Sequence, residues 1–71
     1  MKFLLIIQVC SALSMSCMDP MEGGEYKTHF DCATAGYLNA IGMTRELGQT
    51  IVDRDRITIK FECRPFNEIS Y

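Results

Sequence analysis

The chain has 71 residues and a formal charge of −2 at pH 7, and this length leaves room for a single domain, residues 1–71. Its seven Lys and Arg residues are scattered, whereas nucleic-acid binding needs clustered cations that displace phosphate counterions. A membrane-spanning helix needs about 20 apolar residues, and the longest run here, residues 3–7, is far shorter. We therefore expect no nucleic-acid binding and no transmembrane segment.

The first segment, residues 3–10, is rich in aliphatic and β-branched residues on both of its faces. This pattern predicts a central strand that is covered on both sides. Residues 11–16 show no apolar period, and Cys17 is expected in a short strand or a loop. Asp19-Pro20 and Gly23-Gly24 then predict a turn and a loop.

A helix is predicted to begin after Thr28, because Thr28-His29-Phe30-Asp31 has the form of a capping box. The apolar stripe of this helix has small residues at its centre, which would let the helix lie close to a sheet. The stripe consists of Ala33, Gly36, Tyr37, Ala40, Met43, Thr44 and Leu47. The helix is expected to end at Gly48 or to run on to Val52.

The segment Asp53-Arg54-Asp55-Arg56 predicts a charged connector in solvent. Apolar and polar residues alternate from position 57 to position 64, which predicts a strand with one buried face, ended by Pro65. The sequence thus predicts an α+β fold: a small antiparallel sheet of two or three strands with one amphipathic helix packed on it, in the order β-β-α-β. The charges on the last strand would protect a sheet edge as much as form a binding site.

Four cysteines in so short a chain predict two disulfides. Cys10 and Cys17 are symmetric about a turn at residues 13–14, and in a hairpin they would face each other at a non-hydrogen-bonded pair. Leu-Ser is a poor tight turn, so a longer loop is expected. Cys32 and Cys63 would meet if the helix and the last strand run antiparallel. The alternative is that all four are reduced, buried residues.

Metal ligands are present only in incomplete sets. His29 and Cys32 could hold zinc, but Cys63 would add only a third ligand where a closed site needs four. A second group of soft sulfurs could suit Cu(I), although methionine also fills gaps in small cores. This group consists of Met15, Cys17, Met18 and Met21. We predict no metal and no cofactor.

Catalytic groups are also incomplete. The serines lack a glycine-flanked elbow, and His29 is the only histidine that could act as a base. Asp53 and Asp55 alternate with arginines, which would neutralise them rather than raise the pKa of either carboxyl. Gly23-Gly24 has no following lysine for a phosphate loop. We predict no catalytic residues and no enzyme.

Six of the aromatic residues could form a recognition surface. Most of them are expected in the core, with Phe66 and Tyr71 exposed. The six are Tyr26, Phe30, Tyr37, Phe61, Phe66 and Tyr71.

Residues 2–17 also have the layout of a bacterial export signal, with Lys2, an apolar run and small residues before Cys17. A lipoprotein signal would place leucine where Ser14 stands. Removal of residues 1–16 would leave one strand and one helix, too little sheet for a stable domain. We favour retention, with the protein in a host cytoplasm; cleavage would place it in the periplasm or envelope.

The order of K-F-L-L-I-I-Q-V-C-S, C-M-D-P-M, Y-K-T-H-F-D-C-A-T-A-G-Y and I-K-F-E-C resembles short open-reading-frame proteins of marine tailed phages over about residues 2–64. The resemblance implies a phage-encoded accessory protein and carries no site residues. The functional hypothesis is a small non-enzymatic protein that acts by binding an unidentified protein partner. The alternative is an exported or lipid-anchored envelope protein with a cleaved N-terminal signal. The sequence leaves the oligomeric state open.

Overall fold

A computed structural model describes residues 1–67, which form a four-stranded antiparallel sheet and two helices. The elements in chain order are β1 (Lys2–Ser11), β2 (Ser16–Cys17), β3 (Met21–Tyr26), α1 (His29–Leu47), α2 (Gln49–Asp55) and β4 (Ile57–Phe66). The α+β class, the antiparallel sheet and the packed amphipathic helix agree with the prediction. The sheet has four strands rather than two or three, and a second helix follows the first.

β1 is the central strand of the sheet. β4 pairs antiparallel with the whole of β1, whereas β2 pairs with its end and β3 with its beginning. Since β4 fills one edge of β1, the strands β2 and β3 must follow one another along the other edge. The sheet is therefore three strands wide, and every pairing in it involves β1.

β3 runs through the glycines that predicted a loop, so that prediction is wrong. A Cβ atom at Gly23 would lie 2.9 Å from both Leu5 Cδ2 and Ile7 Cδ1. Gly24 has a φ of 114°, a conformation that costs other residues more than glycine. The register with β1 shifts between Leu5 and Ile6, as at a β-bulge. The glycines let a bulged strand pass close to the core, which a sequence pattern alone does not distinguish from a loop.

α1 begins as predicted and lies close to the sheet. Thr28 is its N-cap, and the Thr28 hydroxyl accepts a hydrogen bond from the Asp31 backbone N–H at 3.0 Å. Cys32 and Gly36 are its buried residues. A Cβ atom at Gly36 would overlap the ring of Phe61 on β4, so the close approach depends on this glycine.

Gly48 separates the two helices, and α2 replaces most of the predicted charged connector. Gly48 has a φ of 85° and its N–H donates to the Thr44 carbonyl, which ends α1. α2 then runs to Asp55, and Arg56 in the left-handed conformation turns the chain into β4. The connector prediction failed because a helix this short needs little apolar surface: Val52 and Asp55 are partly buried, and the other positions of α2 are exposed.

β4 shows the predicted alternation, with partly buried residues at odd positions up to Cys63 and exposed residues between them. It continues through Pro65 to Phe66 instead of ending at the proline. Proline is tolerated in an edge strand when its nitrogen faces away from the neighbouring strand, and β4 is such an edge.

The core lies between α1 and one face of the sheet. Leu5, Ile7 and Cys32 form its buried cluster. Leu4 and Ile6 alternate with these residues along β1, so they lie on the opposite face, where they are only partly buried. The prediction that β1 is covered on both faces is therefore wrong, because the helical layer covers one face only.

Candidate protein-binding surface

The Cys10–Cys17 disulfide joins β1 to β2 as predicted. The Met18 N–H donates to the Val9 carbonyl at 2.8 Å, which leaves the adjacent Cys10 and Cys17 as a non-hydrogen-bonded pair. Their Cα atoms are 4.0 Å apart. The connection between the strands is a four-residue turn, residues 12–15, rather than a tight two-residue turn.

The Cys32–Cys63 disulfide joins the first turn of α1 to the end of β4. Its Cα atoms are 6.0 Å apart, and Cys32 is fully buried. This bridge fixes one end of α1 on the sheet, and the tight contact of Gly36 with Phe61 lies one turn further along the helix. Position and tilt of α1 on β4 are thus held by a covalent link and by packing.

The cysteines among the candidate metal ligands are all bonded in disulfides. Cys32 and Cys63 share a disulfide and Cys17 is bonded to Cys10, so none of these thiols is free to bind a metal. His29 is exposed, as expected for a first-turn histidine, and its ring meets that of Phe3 edge-on at 5.6 Å. Within residues 1–67, no three His, Cys, Asp or Glu side chains come together as a metal site.

The charged residues of α2 form an ion pair at the surface. The Arg54 guanidinium lies 3.1 Å from the Asp55 carboxylate, and its hydrogen bond to Asp55 lowers the pKa of that carboxyl below its ordinary value. A lowered pKa keeps the carboxylate charged at neutral pH and makes it a poor proton donor. The ion pair lies in the last turn of α2, so the solvated turn that the sequence predicted for these carboxylates is replaced by a helix, whereas the predicted pairing of Asp55 with an arginine is present.

The largest departure from the prediction is a solvent-exposed apolar face of α1 that borders β4. It consists of Phe30, Tyr37, Leu38 and Ile41, with exposed fractions of 77%, 65%, 65% and 53%. The expectation that most aromatic residues lie in the core is therefore wrong for Phe30 and Tyr37. Phe66, expected to be exposed, is partly buried, and Tyr71 lies outside the described residues.

The apolar face of α1 follows from the spacing of its residues. Positions i, i+7, i+8 and i+11 fall on one side of a helix, and relative to Phe30 these are Tyr37, Leu38 and Ile41. The sequence therefore contains a second apolar stripe. Sequence reasoning did not use it, because the stripe through Gly36 was sufficient to account for the contact between the helix and the sheet. Tyr37 belongs to the first stripe by sequence, and in the structure it lies at the boundary between the two.

A contact with β4 fixes Tyr37 at that boundary. Its ring meets the ring of Phe61 edge-on, with centroids 4.9 Å apart. Further along the helix, a shallow groove between α1 and β4 is lined by Ile41, Arg45 and Ile59 among others. The apolar face of α1 therefore reaches down to the free side of β4.

Two further observations bear on function. None of the helices in residues 1–67 has the length and apolar character needed to cross a bilayer. No protein-family model, no curated protein and no solved structure matches the chain.

Proposed function

We propose that this chain is a small non-enzymatic accessory protein that binds a protein partner through the apolar face of α1. The observation that carries this proposal is the exposure of Phe30, Tyr37, Leu38 and Ile41 on one side of a single helix. Monomeric soluble proteins rarely expose large apolar patches without a binding role. Aromatic residues are also enriched at protein interfaces.

The spacing of these side chains suggests how the partner is recognised. An amphipathic helix that lies in an apolar groove of another protein has anchors at i, i+3, i+4 and i+7. Tyr37, Leu38 and Ile41 have the i+3, i+4 and i+7 spacing counted from Thr34, and Phe30 lies one turn before Thr34. Asp31 and Arg45 are exposed near the two ends of the helix and would lie at the polar rim of such an interface. The partner is therefore expected to offer an apolar groove about three helical turns long.

The non-enzymatic character rests on the chemistry of the side chains. All four cysteines are in disulfides, so no thiolate is available as a nucleophile. The hydrogen bond to Arg54 lowers the pKa of the Asp55 carboxyl rather than raising it toward neutrality. A phage origin rests on the sequence resemblance alone.

Partner binding is tested with a double substitution, Phe30→Ser with Leu38→Ser, and with Met15→Ser as the matched control. Met15 is 89% exposed in the β1–β2 turn, so its substitution also removes an exposed apolar side chain but leaves α1 unchanged. Immobilised wild-type protein is expected to retain the same host proteins in repeated captures from lysate and envelope extract. The control should retain them, and the double variant should not. Capture that is equally strong with the double variant, or no reproducible capture, would refute the proposal.

The second candidate is an exported or lipid-anchored envelope protein, and the two disulfides favour it because disulfides persist in oxidising compartments. The cleaved form of this candidate conflicts with the fold, since cleavage before Cys17 would remove β1. Intact mass from expressing cells separates the two candidates. A mass that lacks residues 1–16 would support cleavage, and a mass that includes Met1 would refute it.

A further inference from the structure

The outer edge of β4 carries backbone groups that the sheet does not use. The inner edge of β4 bonds to β1. Just before β4, the Ala12 N–H donates to the Arg56 carbonyl at 3.0 Å, and this pair continues the register between β1 and β4. Successive residues of a strand direct their backbone groups to opposite edges, and β1 pairs even residues with even residues of β4. Even-numbered residues of β4 therefore bond to β1, and odd-numbered residues direct their N–H and C=O groups outward. Among residues 1–67, no strand pairs with this outer edge.

Pro65 fits this arrangement. It has an odd number, so its missing N–H lies on the outer edge and costs no hydrogen bond to β1. The remaining outward residues offer both donors and acceptors along nearly the whole strand. They are Ile57, Ile59, Phe61 and Cys63. An edge of this length and regularity is a template for another strand.

The charges on β4 indicate which strand would fit. Lys60, Glu62 and Arg64 are exposed on the open face of the sheet, and the Arg64 guanidinium donates a hydrogen bond to the Glu62 carboxylate at 2.6 Å within the chain. The second carboxylate oxygen of Glu62 can still accept from another cation. If two copies of β4 pair antiparallel about a two-fold axis at Phe61, Lys60 of each copy lies opposite Glu62 of the other. A two-fold axis at Lys60 or at Glu62 would instead place like charges opposite each other, which destabilises an antiparallel pair.

The register with its axis at Phe61 also pairs the largest number of β4 residues. With the axis at Phe61, residues 57–65 of both copies overlap, and Pro65 lies at the two ends of the paired ladder. An axis at Ile59 or Cys63 would shorten the overlap, and an axis at Cys63 would place Pro65 opposite Phe61, where an N–H donor is needed. Charge, overlap and the position of the proline therefore select one register.

The helices are compatible with this pairing. α1 packs on both β1 and β4, and strands lie about 4.8 Å apart, so helices centred between β1 and β4 in two copies would be about 10 Å apart across the axis. Packed helices are separated by about 8–10 Å. Tyr37 and Ile41 lie on the β4 side of α1 and would meet their counterparts, whereas Leu38 points away from the sheet and stays accessible. In the dimer, partner binding would therefore depend on Phe30 and Leu38.

We infer that the chain forms a two-fold symmetric dimer in which the β4 strands of two copies pair antiparallel about Phe61 and the two α1 helices lie side by side. The partner at this edge is a second copy because the alternation of Lys60 and Glu62 complements itself. The dimer has a continuous sheet six strands wide and one helical layer, with two copies of the apolar face of α1 near the axis. The inference rests on β4 and does not require the partner binding proposed above.

The test uses charge reversals measured by analytical ultracentrifugation of the purified chain alone. The wild type is expected to show a mass twice the 8.1 kDa of one chain at high concentration. Lys60→Glu places a glutamate opposite Glu62 of the other copy, and Glu62→Lys places a lysine opposite Lys60 of the other copy. Each variant should therefore raise the dimer Kd by about tenfold or more. An equimolar mixture of the two variants restores both attractive pairs and should dimerise again.

Lys27→Glu and Glu25→Lys are the matched controls, since both residues are exposed and lie away from β4. Circular dichroism of each variant checks that the fold is retained. A wild type that stays monomeric at all concentrations would overturn the inference, as would a dimer that both reversals leave unchanged or a mixture that stays monomeric. Leu38→Ser should leave the dimer intact, so loss of partner binding and loss of dimerisation are separable.

Discussion

Two glycines of α1 show how much the surroundings of a residue decide its role. Gly36 and Gly42 weaken an isolated helix equally. In the fold, a Cβ atom at Gly36 would overlap the ring of Phe61, whereas a Cβ atom at Gly42 would meet nothing within 4 Å. The sequence predicted Gly36 at the small centre of the buried stripe, because it falls in register with Ala33 and Ala40. Gly42 lies outside that stripe.

Alanine at these two positions should therefore act in opposite directions. Gly36→Ala is expected to lower the free energy of unfolding by about 1–3 kcal/mol, because the added methyl group forces α1 or Phe61 to move. Gly42→Ala should raise it by up to about 1 kcal/mol through helix propensity alone. Urea unfolding followed by circular dichroism measures both. If Gly36→Ala also stabilised the protein, α1 could not lie as close to β4 as described.

Some elements of the fold could be predicted from the sequence and others could not. Strand β4 and the start of α1 were predictable, because a period of two and a capping residue are local signals. β3 was not, since its glycines serve a bulge and a close approach to Leu5 that exist only after β1 is in place. The apolar face of α1 was visible as a spacing, but whether a sheet covers it depends on the tertiary fold.

The two disulfides link elements of the fold covalently, and removing them should lower the free energy of unfolding by unequal amounts. Cys32 and Cys63 are 31 positions apart and Cys10 and Cys17 are 7 apart. In the chain-entropy model the longer loop contributes about 3–4 kcal/mol and the shorter about 2–3 kcal/mol. The double variant Cys32→Ala with Cys63→Ala should therefore unfold at lower urea than Cys10→Ala with Cys17→Ala. Equal midpoints would contradict this ranking of the two bridges.

At the scale of the whole molecule, a single strand holds the fold together. β2, β3 and β4 each pair with β1, and α1 covers Leu5 and Ile7 of the same strand. By sequence, retention of residues 1–16 is favoured because one strand and one helix are too little for a domain. The topology adds a stronger reason, because within residues 1–67 the other three strands pair only with β1.

A chain that starts at Cys17 should therefore fail to fold cooperatively. It would lose Leu5, which is fully buried, every strand pairing of the sheet, and the partner of Cys17. A matched pair of substitutions in the full chain separates loss of the strand from loss of length. Leu5→Ala should cost about 2–5 kcal/mol, whereas Leu4→Ala, on the open face, should cost markedly less. Thermal unfolding followed by circular dichroism gives all three results, and a cooperative transition in the shortened chain would contradict the central position of β1 and support the cleaved-signal candidate.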